Sequence, residues 1–166
     1  MRVPPPFSLL AEPVVKALHL KKFEKPTLIQ EKAIPIILKG QNTLVIAPTA
    51  SGKTECAILP VISMILSEKA STRGFKALYI TPLRALNRDL LARLEFWATA
   101  CNLKIAVRHG DTPPSERRKQ VLDPPDILIT TPELFQALIA SSSLKPLLKT
   151  LKWVIIDEFH ELIEDK

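Results

Sequence analysis

The sequence predicts an α/β fold, a predominantly parallel sheet flanked by helices, and three observations carry that expectation. Short Val/Ile-rich runs recur along the chain, amphipathic stretches separate them, and a glycine-bearing loop lies between the first such run and a helix. Ahead of the first run, Val14–Leu20 and Thr27–Leu38 read as two helices, the second ending near Gly40. Thr43–Ala47, Ala77–Ile80, Ile105–Val107, Ile127–Thr130 and Trp153–Ile156 are the expected strands, apolar enough to be buried on both faces of a parallel sheet. Leu83, Leu86, Leu90, Leu94 and Trp97 recur at helical spacing, so a helix is expected that Pro82 opens at its first position. A shorter helix covers Pro114–Val121, and another starts at Pro132 and carries Leu134, Leu138 and Ile139. The 15 prolines fall mostly at element starts, as punctuation and not as a linker.

Length and composition set the class. The 166 residues, 46% apolar and 24% charged, suit one globular domain, with residues 1–40 as its helical N-terminal segment. Cys56 and Cys101 fit no metal-ligand spacing and lie in apolar segments, so they read as reduced core thiols. No apolar run approaches the ~20 residues of a membrane span. The expectation is a cytoplasmic chain with no membrane partner. A formal charge of +6 is compatible with a polyanion partner but decides nothing alone.

The strongest local signal is Ala47-Pro-Thr-Ala-Ser-Gly-Lys-Thr54, after an expected strand and before an expected helix. In that context it reads as a phosphate-binding loop, in which Pro48, Thr49, Ala50, Ser51 and Gly52 wrap the phosphates with backbone N–H groups. Lys53 would reach the β- and γ-phosphates and Thr54 would ligate Mg²⁺. Ala47 stands where the general pattern has glycine. The second signal is Val154-Ile-Ile-Asp-Glu-Phe-His160, at the carboxyl end of the last expected strand, where open α/β sheets collect ligand chemistry. There Asp157 would hold Mg²⁺ through water and Glu158 would orient or deprotonate an attacking water.

Together these motifs resemble the first motor domain of superfamily 2 helicases, the DExH group, and others arrive in order. Phe23-Glu-Lys-Pro-Thr-Leu-Ile-Gln30 is similar to the Q motif, which implies that Gln30 reads the adenine edge with one donor and one acceptor while Phe23 packs on the base. Thr81-Pro-Leu-Arg-Ala-Leu86 resembles motif Ia, His109-Gly-Asp111 the glycine-containing turn near nucleic acid, and Thr131-Pro-Glu133 motif Ib. The string from Arg108 to Arg118, with Asp126–Glu133 and Asp157–Leu162, resembles the Lhr (large helicase-related) branch most closely. Phe159 and Ala50 depart from it, standing where Ile and Gly are more usual.

The resemblance implies a RecA-like P-loop NTPase domain and an ATP-dependent enzyme that uses Mg²⁺ and moves along a single strand, DNA in preference to RNA. It implies Lys53, Asp157 and Glu158 as the catalytic set and His160 as a coupling residue. Thr81, Pro82, Arg84, His109, Gly110, Thr131 and Pro132 are the implied nucleic-acid contacts. Helices opening at Pro82 and Pro132 would aim N–H groups at phosphates, with the Thr81 and Thr131 hydroxyls as further donors. Arg117, Arg118 and Lys119 form a basic cluster that reads first as surface, while Phe96, Trp97 and Trp153 read as core. The chain reads as a fragment, and a second RecA-like domain beyond residue 166 would bring the arginine that stabilises the transferring phosphoryl group. Alone, this segment is expected to bind ATP weakly and hydrolyse it poorly. A Ski-like DExH RNA helicase, a P-loop ATPase without a nucleic-acid substrate and a non-catalytic scaffold remain the alternatives.

Overall fold

A computed structural model describes residues 3–23, 25–68, 73–83 and 85–161. The chain divides into two compact units, Met1–Ala70 and Ser71–Lys166. The first is helical. A 3-10 turn at Phe7–Leu9 precedes α1 (Glu12–Leu20), α2 (Leu28–Leu38) and α3 (Lys53–Ser67). Phe7, Val14, Leu18, Ile34, Cys56, Ile58, Leu59 and Ile62 have no more than trace exposure and form its interior. Helix α2 starts where a cap is available. Thr27 and Gln30 form a capping box, in which Gln30 Oε1 accepts from the Thr27 N–H at 3.0 Å.

The expected strand Thr43–Ala47 does not form: none of these residues is in a strand, and Leu44 and Ile46 are 76% and 84% exposed. A strand exists only through its ladder, and this run takes part in none, so apolar composition is insufficient.

The second unit contains a parallel sheet in the order β2-β3-β1-β4, built from β1 (Ala77–Ile80), β2 (Ile105–Arg108), β3 (Ile127–Thr130) and β4 (Trp153–Ile156). Crossovers between them carry α4 (Arg88–Ala100), α5 (Pro114–Leu122) and α6 (Pro132–Ala140), followed by a 3-10 helix at Lys145–Thr150. Strands β1 and β3 lie in the middle and are buried throughout. Leu78, Ile80 and Leu128 pack with Leu138 of α6 and with Leu144 and Leu147. The outer strands differ from expectation. Strand β2 is half-buried, and β4 alternates, leaving Val154 and Ile156 each 48% exposed, because each pairs on one side only among the described strands.

Helix α4 also starts later than expected. Ahead of it the Ala85 N–H donates to Pro82 O at 3.0 Å in a turn, and the helix begins at Arg88. Asn87 decides this: its side-chain oxygen accepts from Leu90 N–H at 2.9 Å, a stronger start signal than a proline five residues earlier. Leu83 is left outside the stripe and exposed, whereas Leu90, Leu94 and Trp97 are buried as expected. Trp153 is half-buried, not core.

Candidate nucleotide site and nucleic-acid face

In the first unit the phosphate loop is held by its neighbours in sequence and by α2. Gly52 sits in the left-handed region (φ +87°) and caps α3. A Cβ there would lie 2.5 Å from Gln30 Nε2, so the backbone approaches that amide as only glycine allows. Gln30 is wholly buried, and its Nε2 donates to Gly52 O at 3.1 Å. The side chain expected to read adenine thus already ties the α2 cap to the loop. Ala50 is also left-handed, at φ +59°. An alanine there costs about 1–2 kcal/mol, which explains why glycine is more usual at this position.

Lys53 folds over the loop, its Nζ donating to Ala47 O at 2.7 Å and Pro48 O at 3.0 Å. Both partners are neutral, and among the described residues no carboxylate compensates the charge, so the ammonium remains an anion attractor. The Ser51 hydroxyl is buried without a partner among the described residues. With the orphan N–H groups at the start of α3, these features fit a polyphosphate. Phe23 is half-buried beside its Q-motif segment, and Pro48 and Thr49 are exposed. Thr54 is half-buried in the first turn of α3.

In the second unit Asp157 follows β4 directly, its N–H donating to Ile80 O at 2.8 Å. Both carboxylate oxygens are engaged: Oδ1 accepts from Glu158 N–H at 3.0 Å and Oδ2 from the Tyr79 hydroxyl at 2.5 Å. Glu158 is left-handed (φ +50°), and its Oε2 lies 3.5 Å from His160 Nδ1. Thr54 in the first unit and Asp157 in the second each carry a hard oxygen donor of the kind that Mg²⁺ selects. Sequence reasoning missed Tyr79, because nothing local marks it.

The expected nucleic-acid face is only partly open. Thr81 is fully buried and Thr131 is 4% exposed, so neither hydroxyl is presented as expected; the reason is that both continue strands of the buried centre of the sheet. Pro82 is buried, Pro132 half-buried, and Arg84 lies outside the described residues. His109 is half-buried and Gly110 exposed. Helix α6 does open at Pro132, with Thr131 at its N-cap.

Arg117 is not the loose surface charge expected. Its guanidinium donates to Thr112 O (2.8 Å), His109 O (3.2 Å) and Gly110 O (2.5 Å), clamping the turn. Thr112 Oγ1 accepts from His109 N–H at 2.9 Å, and His109 Nδ1 accepts from Asp111 N–H at 3.2 Å. Arg108 contacts Gln120 Oε1 at 3.3 Å, and burial, then the charge of Arg117, holds its guanidinium below its ordinary value. Arg108 and Arg117 outnumber the carboxylate of the turn itself, Asp111, whose Oδ2 lies 3.9 Å from His109 Nδ1.

Known proteins with this arrangement are motor domains. The chain is 38% identical over 168 residues to ATP-dependent helicase Lhr-Core of Sulfolobus acidocaldarius, covering 95% of this chain and 19% of that protein. It is 34% identical over 185 residues to Lhr helicase/uracil glycosylase of Escherichia coli, covering 98% and 12%. It thus spans a fifth or less of the length of these curated relatives. Mycobacterium smegmatis helicase Lhr bound to ssDNA and AMP-PNP superposes with a TM-score of 0.82 at 34% identity, covering 96% of this chain and 21% of that one. Helicase MrfA bound to DNA and AMPPNP gives 0.79 at 29%, covering 96% and 22%. The sheet and its helices are thereby a RecA-like helicase domain. The profile of DEAD/DEAH box helicases matches residues 27–166, and the chain belongs to that family.

Proposed function

We propose that this chain is the ATP-binding motor domain of an ATP-dependent helicase that couples hydrolysis to movement along single-stranded nucleic acid, DNA in preference to RNA. The observation that carries the reading is the loop from Ala47 to Thr54, where Lys53, its ammonium held by two neutral carbonyls, and a left-handed Gly52 prepare an anion cradle at the start of α3. Lys53 exchanges its two carbonyl partners for the β- and γ-phosphates. Gln30 and Phe23 serve the adenine, and Thr54 and Asp157 are each proposed as ligands that would hold Mg²⁺, an ion that would neutralise charge on the phosphates. Glu158 orients the attacking water and accepts its proton, with His160 beside it as the coupling residue. Of the expected strand contacts, Arg84, His109, Gly110 and Pro132 remain proposed, made through backbone and charge and so with little base preference, whereas Thr81, Pro82 and Thr131 are too buried here to reach a strand.

The strand partner in the Lhr and MrfA structures supports DNA as the substrate. In this reading a second RecA-like domain of the same protein supplies the arginine that stabilises the γ-phosphoryl group, a contribution of about 10³–10⁵ in rate in related enzymes. The reading assigns the protein to the cytoplasm; no helix among the described residues is long and apolar enough to cross a membrane. The test is ATP turnover by the full-length protein with single-stranded DNA, single-stranded RNA or neither, for the native sequence and Glu158→Gln. Turnover stimulated by DNA, and lost in Glu158→Gln with nucleotide binding retained, is the expected result. Native turnover indifferent to both strands would overturn the helicase reading, and stimulation by RNA alone would transfer it to an RNA helicase.

A further inference from the structure

We infer that Tyr79 is a positioning residue for Asp157, fixing the carboxylate in the orientation in which it holds the nucleotide's divalent cation. The inference rests on the proposed metal role of Asp157 and adds the group that makes that role possible.

The geometry follows from the sheet register. Strands β1 and β4 are parallel, with Tyr79 opposite Ile155 and Ile80 opposite Ile156. Continuing that register by one residue sets Asp157 opposite Thr81. Side chains alternate between faces along a strand, so Tyr79 and Asp157 share a face as diagonal neighbours two positions apart. Such neighbours lie about 7–8 Å apart, a gap that a phenol spans and a short side chain does not. The phenol is 1% exposed, and its hydroxyl donates to Asp157 Oδ2 at 2.5 Å.

The other oxygen is taken by a different device. Glu158, turned into the left-handed region, donates its own N–H to Asp157 Oδ1 at 3.0 Å. One donor alone would let the carboxylate swing about its terminal torsion, which is broad for aspartate. Two donors from different directions fix its plane. Each oxygen keeps a second lone pair, so the fixed group can still accept from water held by a cation. Partners of this kind, which orient a ligand without touching the metal, typically contribute 10- to 100-fold to metal affinity.

Tyr79→Phe is the discriminating variant, because it keeps the buried ring and removes only the hydroxyl. In the full chain, binding of a fluorescent ATP analogue is titrated with Mg²⁺ and repeated in chelator, with Asp157→Asn alongside. The expected result is analogue binding in chelator within twofold of the native chain, together with a half-saturating Mg²⁺ concentration raised about 10-fold. Asp157→Asn should raise the half-saturating Mg²⁺ concentration at least as far as Tyr79→Phe does. A Tyr79→Phe titration superimposable on the native one, with Asp157→Asn acting as stated, overturns the role of Tyr79 alone. An unshifted half-saturating Mg²⁺ concentration in Asp157→Asn overturns the metal reading and this inference with it.

Discussion

Replacing Gly52 with alanine places a methyl group 2.5 Å from Gln30 Nε2 and 3.3 Å from Thr27 Oγ1, at a backbone φ of +87°. Two costs follow. The left-handed conformation costs a non-glycine residue about 1–2 kcal/mol. The methyl group also expels the Gln30 amide, which gives up its 3.1 Å bond to Gly52 O, worth about 0.5–1.5 kcal/mol net. The amide is the far end of a flexible side chain, but it is buried and holds the α2 cap, so it cannot move freely. The sum is about 1.5–3.5 kcal/mol. In a Gln30→Ala background only the backbone cost remains, so the two substitutions should couple by about 1 kcal/mol, well above the ~0.3–0.5 kcal/mol scatter of independent sites. Denaturant unfolding of the four proteins measures this directly. Strict additivity would refute the contact, and an unfolding midpoint of Gly52→Ala equal to the native one would refute the contact and the strain argument together.

Ala50→Gly should act in the opposite direction. It relieves the strain at φ +59° and surrenders about 0.4–1 kcal/mol through the freer unfolded chain, leaving a gain of about 0.5–1 kcal/mol in thermal unfolding. Asn87→Ala removes the α4 cap and should cost about 1 kcal/mol, a fall of about 2–4 °C in Tm. Arg117→Ala and Arg117→Lys should both loosen the His109–Gly110 turn, since an ammonium cannot reproduce the guanidinium's fork to three carbonyls; faster amide exchange at Gly110 and Asp111 in both variants is the readout. Burial pushes the Cys56 and Cys101 thiols from 9.0 up to about 11. The folded state therefore prefers the neutral thiol, and the stability this gives is complete below about pH 9 and lost as pH rises towards 11. A Cys56→Ala, Cys101→Ala double variant should show a shallower alkaline decline than the native chain across that window.

Where the sequence was legible, one local cause dominated. The runs Ala77–Ile80 and Ile127–Thr130 are mostly apolar because they are buried throughout, and the central strands are those read with least ambiguity. Helix α6 opens at Pro132 and α5 near Pro114 because a proline at the first position leaves no hydrogen bond unmade. Where causes competed, the reading failed. Leu83 and Leu86 extended the α4 stripe by periodicity, but the Asn87 cap sets the start. Thr43–Ala47 has the composition of a strand, yet strand formation is a property of pairs, and no single run encodes its partner. The site divides in the same way. Lys53, Gly52, Asp157 and Glu158 stood out as candidates in the sequence because their chemistry is compressed into short motifs. Tyr79 and Arg117 were not: one depends on the register between β1 and β4, the other on carbonyls that point together only after the turn has folded.

The central claim, that the loop from Ala47 to Thr54 binds an adenine nucleotide, is tested most directly by calorimetric titration of the chain with ATP, ADP and GTP in the presence of Mg²⁺. Lys53→Ala and Gln30→Ala serve as the two variants. The account predicts adenine-selective binding that Lys53→Ala abolishes and that Gln30→Ala makes indifferent to the base. Native-like binding by Lys53→Ala, or no binding of any nucleotide by the native chain, would contradict it.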